Sequence, residues 1–350
     1  MALNSQIFFI LVHMTTVMLL AIVGNIFLIF IIFRGNAVVK RRISPVQLLL
    51  LHTCAADLLF ALLSLGTEII IILRHPVFDG PAWLCQLIRY LQMFPMYTSS
   101  FLLVAISFDR FQAICRPLQT YCSDRYRRPN YFAIIAWITA LICSTPQLFI
   151  WHKTKYGECA TIYGHGVSLL KSIYVISFNT IAWLIPSMLA AFFYYRVCKT
   201  IWLSYLSFYF SQETRSYVVR LHNDSRHCRR QLMKFNRDRF QTICLTMTII
   251  FCNFFLWAPF CVVNVLQAVV PHLLSSQLIT YIVILGNLNS CVNPWIYIIF
   301  NRNQVKKNIF LYDTNYANSF RFDLNSKTSQ FNFLSDSRCI HDLLFNISPN

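Results

Sequence analysis

Charge is scarce in this 350-residue chain: 12% of residues are Asp, Glu, Lys or Arg, and only 13 are acidic. With 57% hydrophobic residues and a mean hydropathy of +0.53, the chain has too little polar surface to clothe a soluble domain of this length. It also lacks a catalytic triad, a phosphate-binding loop and any zinc-like spacing among its cysteines and histidines, so nothing points to an enzyme. The first apolar run has no positive n-region and is too long for a signal-peptide core, so it reads as a true membrane span. The net charge of +17 has no soluble basic domain to present it, which argues against nucleic-acid binding.

Long apolar runs dominate what is there. Seven are long enough to cross a bilayer: about Ile7 to Phe33, Val46 to Leu73, Trp83 to Ile114, Tyr131 to Trp151, Leu169 to Leu203, Thr242 to Val270 and Gln277 to Phe300. Basic residues cluster after the first run (Arg34, Lys40, Arg41, Arg42), after the third (Arg116, Arg125, Arg127, Arg128) and between the fifth and sixth (Arg215 to Arg239). Short cytoplasmic loops retain Lys and Arg, so the N-terminus is expected outside and the tail inside a multi-pass protein of the cell membrane. Residues 1–6 form a short extracellular N-terminus, 7–311 the membrane region, and 312–350, rich in Asn, Ser and Phe without periodicity, a disordered cytoplasmic tail.

The third run carries a row of polar groups that lipid would not tolerate. Gln92 and Arg110 are five helical turns apart, roughly 27 Å, and Cys85 and Ser99 lie close to the same line, so the row joins one membrane face to the other. Asp57 is deep in the second run, where an ionisable group is costly and faces a bundle interior. Asn25, Ser99, Asn289, Ser290 and Asn293 can bring oxygens to the same depth, which suits a cation or proton site. Glu68 lies about 20° from Asp57 on the same face and roughly 16 Å nearer the outside, a position suited to a cavity mouth. Arg89, Gln92 and Gln147 offer donors and acceptors of the kind a peptide backbone needs. Cys85 starts the third run and Cys159 lies in the polar extracellular loop after the fourth, so a disulfide between them is expected. Cys54, Cys115, Cys143, Cys198, Cys244, Cys252, Cys261 and Cys291 lie in apolar runs and read as small buried hydrophobes. Pro186, Pro259 and Pro294 each remove a helix hydrogen bond and mark sites that can bend.

Taken in order, GNIFLIF with Asn25, AADLL with Asp57, SFDRF with Asp109 and Arg110, Trp137, LWAPF with Trp257 and Pro259, and NPWIY with Asn293, Pro294 and Tyr297 resemble the rhodopsin-like (class A) G-protein-coupled receptors across about Ile7 to Leu311. The resemblance implies an all-α membrane protein, a seven-transmembrane helix bundle with a short amphipathic eighth helix. It implies that Trp257 lies below the ligand, that Arg110 meets Tyr194 and Tyr297 on activation, and that Asp57, Ser99, Asn289 and Ser290 hold an allosteric sodium ion. No other cofactor is implied. Partners implied are an extracellular peptide, a heterotrimeric G protein of the calcium-mobilising class, arrestin and membrane lipid.

Within that family GPAWLCQLIRYLQMF, STPQLFIW and LNSCVNPWIYIIF are similar to the vasopressin/oxytocin (nematocin-type) receptor group, which implies a small disulfide-closed amidated peptide held by Arg89, Gln92, Met96, Gln147 and Phe260. Ser64, Glu68 and Asn264 stand where the group has glutamines. An acid at Glu68 is more like the gonadotropin-releasing-hormone and adipokinetic-hormone receptors, the alternative peptide class, and altered switch residues also admit a co-receptor subunit that does not signal alone. Phe111, Asn253 and Leu256 differ from the commoner residues around the switch. Arg239 stands where many receptors have an acid that holds Arg110, so a weaker inactive-state lock and some basal signalling are expected.

Overall fold

The computed structural model describes residues 5–40, 42–74, 78, 80–116, 127–163, 168–215, 224–270, 276–302 and 305. Its first helix is Ser5–Val39; the second span is Pro45–Leu59, a π turn over Phe60–Gly66 and a last stretch Thr67–Arg74; the third is Ala82–Cys115. The fourth helix, Arg127–Ser144, stops before Pro146, and a single turn, Gln147–Ile150, leads into β1 (Trp151–Lys153) and β2 (Cys159–Thr161), paired antiparallel with Trp151 opposite Thr161. The fifth span is Leu169–Asn179, a π turn over Thr180–Leu184, and Ile185–Arg215; the sixth is Asp224–Val269.

Six of these helices are long and apolar enough to cross a membrane. The seventh run, expected as one helix, is two 12-residue helices, Ser276–Asn287 and Asn289–Phe300, broken at Leu288. The break precedes Pro294 because local side chains compete for backbone carbonyls. The Ser290 hydroxyl and the Cys291 thiol donate to the carbonyls of Asn287 and Leu288, and the Leu288 and Cys291 amides take tight bonds three residues back. Pro294 in turn leaves the Ser290 carbonyl without its helical donor, and Asn25 Nδ2 supplies one at 3.0 Å. Gly24 beside it permits this approach, since a Cβ there would lie 3.3 Å from Pro294 Cγ. First and seventh spans are thereby keyed together.

Helix starts follow local chemistry. Ser44 caps the second span with Pro45 at its first position, and the Gln47 side chain accepts from the Ser44 amide at 3.0 Å in a reciprocal capping box. The inner-half core joins Leu28, Leu49, Leu102, Ile106, Ile249 and Tyr297 from five spans. Outside, Phe8, Val23, Phe30, Ile135, Ile142, Phe192, Phe251 and Ile299 are exposed on helices with no aqueous reason to be apolar, a surface matched to lipid.

Some expectations gain detail and others need correction. The fifth span departs from α-helix at its π turn, which holds Ala182, the residue whose carbonyl Pro186 leaves without a helical donor, while the π turn of the second span contains no proline. Of the cysteines read as buried, Cys54, Cys261 and Cys291 are, whereas Cys198 is exposed and Cys115, Cys143, Cys244 and Cys252 are half-buried. Cys85 and Cys159 are bonded, with Cα atoms 5.8 Å apart. The eighth helix expected before Leu311 and the tail 312–350 lie outside the described residues, apart from Asn301, Arg302 and Val305.

Candidate functional site

The end of the bundle that carries β1 and β2, expected to face outward from the charge pattern, holds a continuous polar network. The π turn over Phe60–Gly66 inserts an extra residue into the second span and re-aims its outer end, placing Thr67 and Glu68 against the third helix. Arg89 Nη1 donates to Glu68 Oε2 at 2.8 Å and to Gln92 Oε1 at 3.0 Å, while Gln92 Nε2 donates to Glu68 at 3.1 Å and to the Thr67 hydroxyl at 2.8 Å. The Ser64 hydroxyl reaches across to the Gln92 carbonyl at 2.8 Å. Glu68 and Arg89 therefore balance each other's charge, with the two side chains 33% and 16% exposed, although Arg89 Nε is buried without a hydrogen-bond acceptor.

On the opposite wall, Gln147 is almost fully buried. Its oxygen accepts from Trp151 Nε1 at 2.6 Å and its NH2 donates to the Tyr174 hydroxyl. The Trp151 ring lies over the Arg89 guanidinium, 4.3 Å from its carbon, within cation–π range. Glu68, Arg89, Gln92 and Gln147 thus belong to one assembly. Trp151, Tyr174 and Thr67 join it; Trp151 closes the STPQLFIW segment without having been assigned a role there, and no motif holds Tyr174 or Thr67. Trp151 opens a strand whose place over the bundle depends on the distant Cys85–Cys159 bond, and Tyr174 lies in an otherwise apolar run.

Deeper in, Met96, Phe60, Pro95, Trp257 and Gly286 enclose a small cavity together with Asp57, Ser99, Asn289 and Ser290. Its volume is about 10 Å³, roughly the room for one water-sized guest. Phe260 stands edge-on to Trp257 at 5.4 Å between centroids and packs beside Gly286 of the seventh span. Asn264 is seven residues beyond Trp257, on the same helix face, and half-buried. At the cavity floor Asp57 is 2% exposed and accepts one hydrogen bond, from Asn293 Nδ2 at 2.9 Å. A buried carboxylate with one donor, beside hydroxyl and amide oxygens and a small void, fits a monovalent cation. Asn293 contributes its nitrogen to Asp57, so the oxygens facing the void come from Ser99, Asn289 and Ser290.

The inner end is held by short links. Arg110 Nη2 and Nε donate to Asp109 Oδ2 at 2.5 and 3.2 Å, so the adjacent acid is its partner. Tyr194 bonds the Thr246 hydroxyl, and the Gln241 amide reaches the Phe300 carbonyl. Arg110 and Tyr194 therefore have different partners, Asp109 and Thr246. The side chain of Arg239 lies outside the described residues. Higher on the fifth span, the π turn brings Trp183 onto the sixth: its indole stacks on Phe254 at 5.0 Å and donates to the Phe254 carbonyl at 3.3 Å. Pro259, one turn above, leaves the Phe255 carbonyl without its helical donor, so this clasp grips the sixth span beside its weak point.

Residues 24–297 match the seven-transmembrane receptor (rhodopsin family) pattern. The chain is 55% identical to nematocin receptor 2 of Caenorhabditis elegans over 316 residues, 87% of this chain and 79% of that receptor. It is 44% identical to nematocin receptor 1 of the same organism, covering 85% and 80% of the two chains. It is 28% identical to cephalotocin receptor 1 of Octopus vulgaris, covering 83% and 77%. With its ordered motifs, its apolar bundle and its anchored hairpin, the chain belongs to the rhodopsin family of seven-transmembrane receptors, G-protein-coupled receptors rather than enzymes.

Proposed function

We propose that this receptor binds a small disulfide-closed neuropeptide of the vasopressin/oxytocin type, with the nematocin class first among them, and passes the signal to a heterotrimeric G protein of the calcium-mobilising class. The observation that carries this is the outer assembly of Glu68, Arg89 and Gln92, backed by Gln147. Its charges cancel internally, so what it offers a ligand is a rim of amide, hydroxyl and guanidinium groups suited to neutral peptide bonds and terminal amides. The names of its relatives support the same reading. The acid at Glu68 that suggested a gonadotropin-releasing-hormone or adipokinetic-hormone ligand has an internal reason, since it neutralises Arg89.

In this reading Met96, Phe260 and Asn264 form the lower wall of the peptide site, and Trp257 transmits its occupancy to the sixth span. Outward motion of that span separates Tyr194 from Thr246, and Arg110, leaving Asp109, meets Tyr194 and Tyr297. The space opened receives the G protein, and afterwards arrestin. A sodium ion, when bound, supplies positive charge opposite Asp57. Asp57, Ser99, Asn289 and Ser290 would hold that ion, with Asn293 fixing the carboxylate. The basic loops face the cytoplasm and the anionic lipid of the inner leaflet, and the N-terminus faces outward. Expression in a cell line lacking endogenous peptide responses, challenged with nematocin, oxytocin, vasopressin and an adipokinetic peptide while calcium and cAMP are read, tests the proposal. A calcium response to the first three in preference to the last is expected; a receptor present at the surface and silent to all four refutes it.

A further inference from the structure

Trp151 occupies a singular place in the outer assembly. One face of its indole covers the Arg89 guanidinium at 4.3 Å, and the edge of that guanidinium is bonded to Glu68 and Gln92. Its N–H donates to Gln147 Oε1 at 2.6 Å. An indole nitrogen is a donor only, so the oxygen of Gln147 must face Trp151 and its NH2 must face the Tyr174 hydroxyl. The orientation of a buried amide, and with it the way Tyr174 is engaged, is therefore set by one tryptophan.

The backbone of Trp151 is itself held. It opens β1, pairs with Thr161 on β2, and β2 begins at Cys159, whose disulfide to Cys85 returns the chain to the third helix one turn before Arg89. Cys85, Arg89, Trp151 and Cys159 close a ring in which three links are covalent or backbone and one is the stacked guanidinium.

We propose that Trp151 is a positioning residue that couples the two walls of the peptide site: Glu68, Arg89 and Gln92 on the second and third spans with Gln147 and Tyr174 on the fourth and fifth. Gln147, 2% exposed and bonded at both ends, acts through this coupling. A peptide that draws Arg89 toward itself moves the indole, and the indole moves the Gln147 amide against the fifth span just above its π turn. The inference deepens the peptide-receptor reading for its signalling consequence, while the coupling itself exists without ligand.

Trp151→Phe keeps an aromatic face over Arg89 and removes only the N–H donor; Gln147→Leu removes the acceptor. In the full-length receptor purified in detergent without peptide, each lowers the melting temperature by about 3 °C, and the double variant falls by about 3 °C rather than about 6 °C. At matched surface expression each lowers nematocin potency about tenfold, and the double variant also about tenfold rather than about a hundredfold. Trp151→Leu, which uncovers Arg89 as well, loses about threefold more. If Gln147→Leu fails to reach the surface, Tyr174→Phe replaces it as the partner variant. Additive losses in either cycle overturn the proposal. A wild-type receptor silent to nematocin overturns the ligand reading instead, and the ligand-free melting cycle then still decides the coupling.

Discussion

Glu68 and Arg89 illustrate how a membrane protein places charge near its outer surface. Neither is fully buried, and each has the other within 3 Å, so the pair keeps its geometry without leaving a net charge for the ligand to neutralise. Glu68→Gln keeps a hydrogen-bond partner for Gln92 but leaves Arg89 without its counter-charge. It should lower peptide potency about tenfold with little loss of surface expression, and Arg89→Gln in the same chain should cost little more. Equal loss of potency and expression would make the pair a folding element alone. Asp57 is the opposite case, a carboxylate enclosed on all sides with Asn293 as its hydrogen-bond donor. Exchange of sodium for choline should raise agonist affinity about fivefold in the wild type and leave Asp57→Asn unmoved. A wild type indifferent to that exchange would remove the sodium role from Asp57, Ser99, Asn289 and Ser290. Such side chains are legible in the sequence because a polar group in an apolar run stands out. Their partners are not: Arg89 and Glu68 are 21 positions apart and Asn293 and Asp57 are 236.

Helices in this bundle deviate where backbone bonds are disturbed, and proline accounts for only part of that. Pro294 frees the Ser290 carbonyl for Asn25, yet the visible break lies at Leu288, where hydroxyl and thiol side chains take over the carbonyls. The π turns at Phe60–Gly66 and Thr180–Leu184 each rotate the adjoining helix, one aiming Glu68 at Arg89 and the other aiming Trp183 at the sixth span. A π turn needs no particular residue, only a net gain in side-chain contacts over one shifted backbone bond, and so leaves no signature in composition. Trp183→Phe preserves the stack on Phe254 and removes the hydrogen bond to its carbonyl. Loss of about 1 kcal/mol from the inactive arrangement should raise peptide-independent inositol phosphate output about fivefold at equal surface expression. Unchanged output would show that the clasp persists through both states.

Across the bundle, the arrangement of the inner end rests on several modest links: Arg110 with Asp109, Tyr194 with Thr246, and Gln241 with the Phe300 carbonyl. No single ion pair between the third and sixth spans is needed to explain it. Arg239 adds positive charge on the sixth span where an acid would attract Arg110, so Arg239→Glu should lower basal output; output no higher than an empty vector in the wild type would count against a weak lock. The sequence by itself determined the apolar spans, the family and the depth of each intramembrane polar group, because hydropathy, motif order and the rise of a helix are properties of one segment at a time. It also placed Cys85 and Cys159 together, since both sit at the same membrane face. Only the tertiary structure decided that Glu68 answers Arg89, that Gln147 is held between Trp151 and Tyr174, and that Arg110 turns to Asp109. The first two pairings depend on how one helix is turned against another, which the two π turns help to set by packing, and the third on the rotamer Arg110 adopts beside its neighbour.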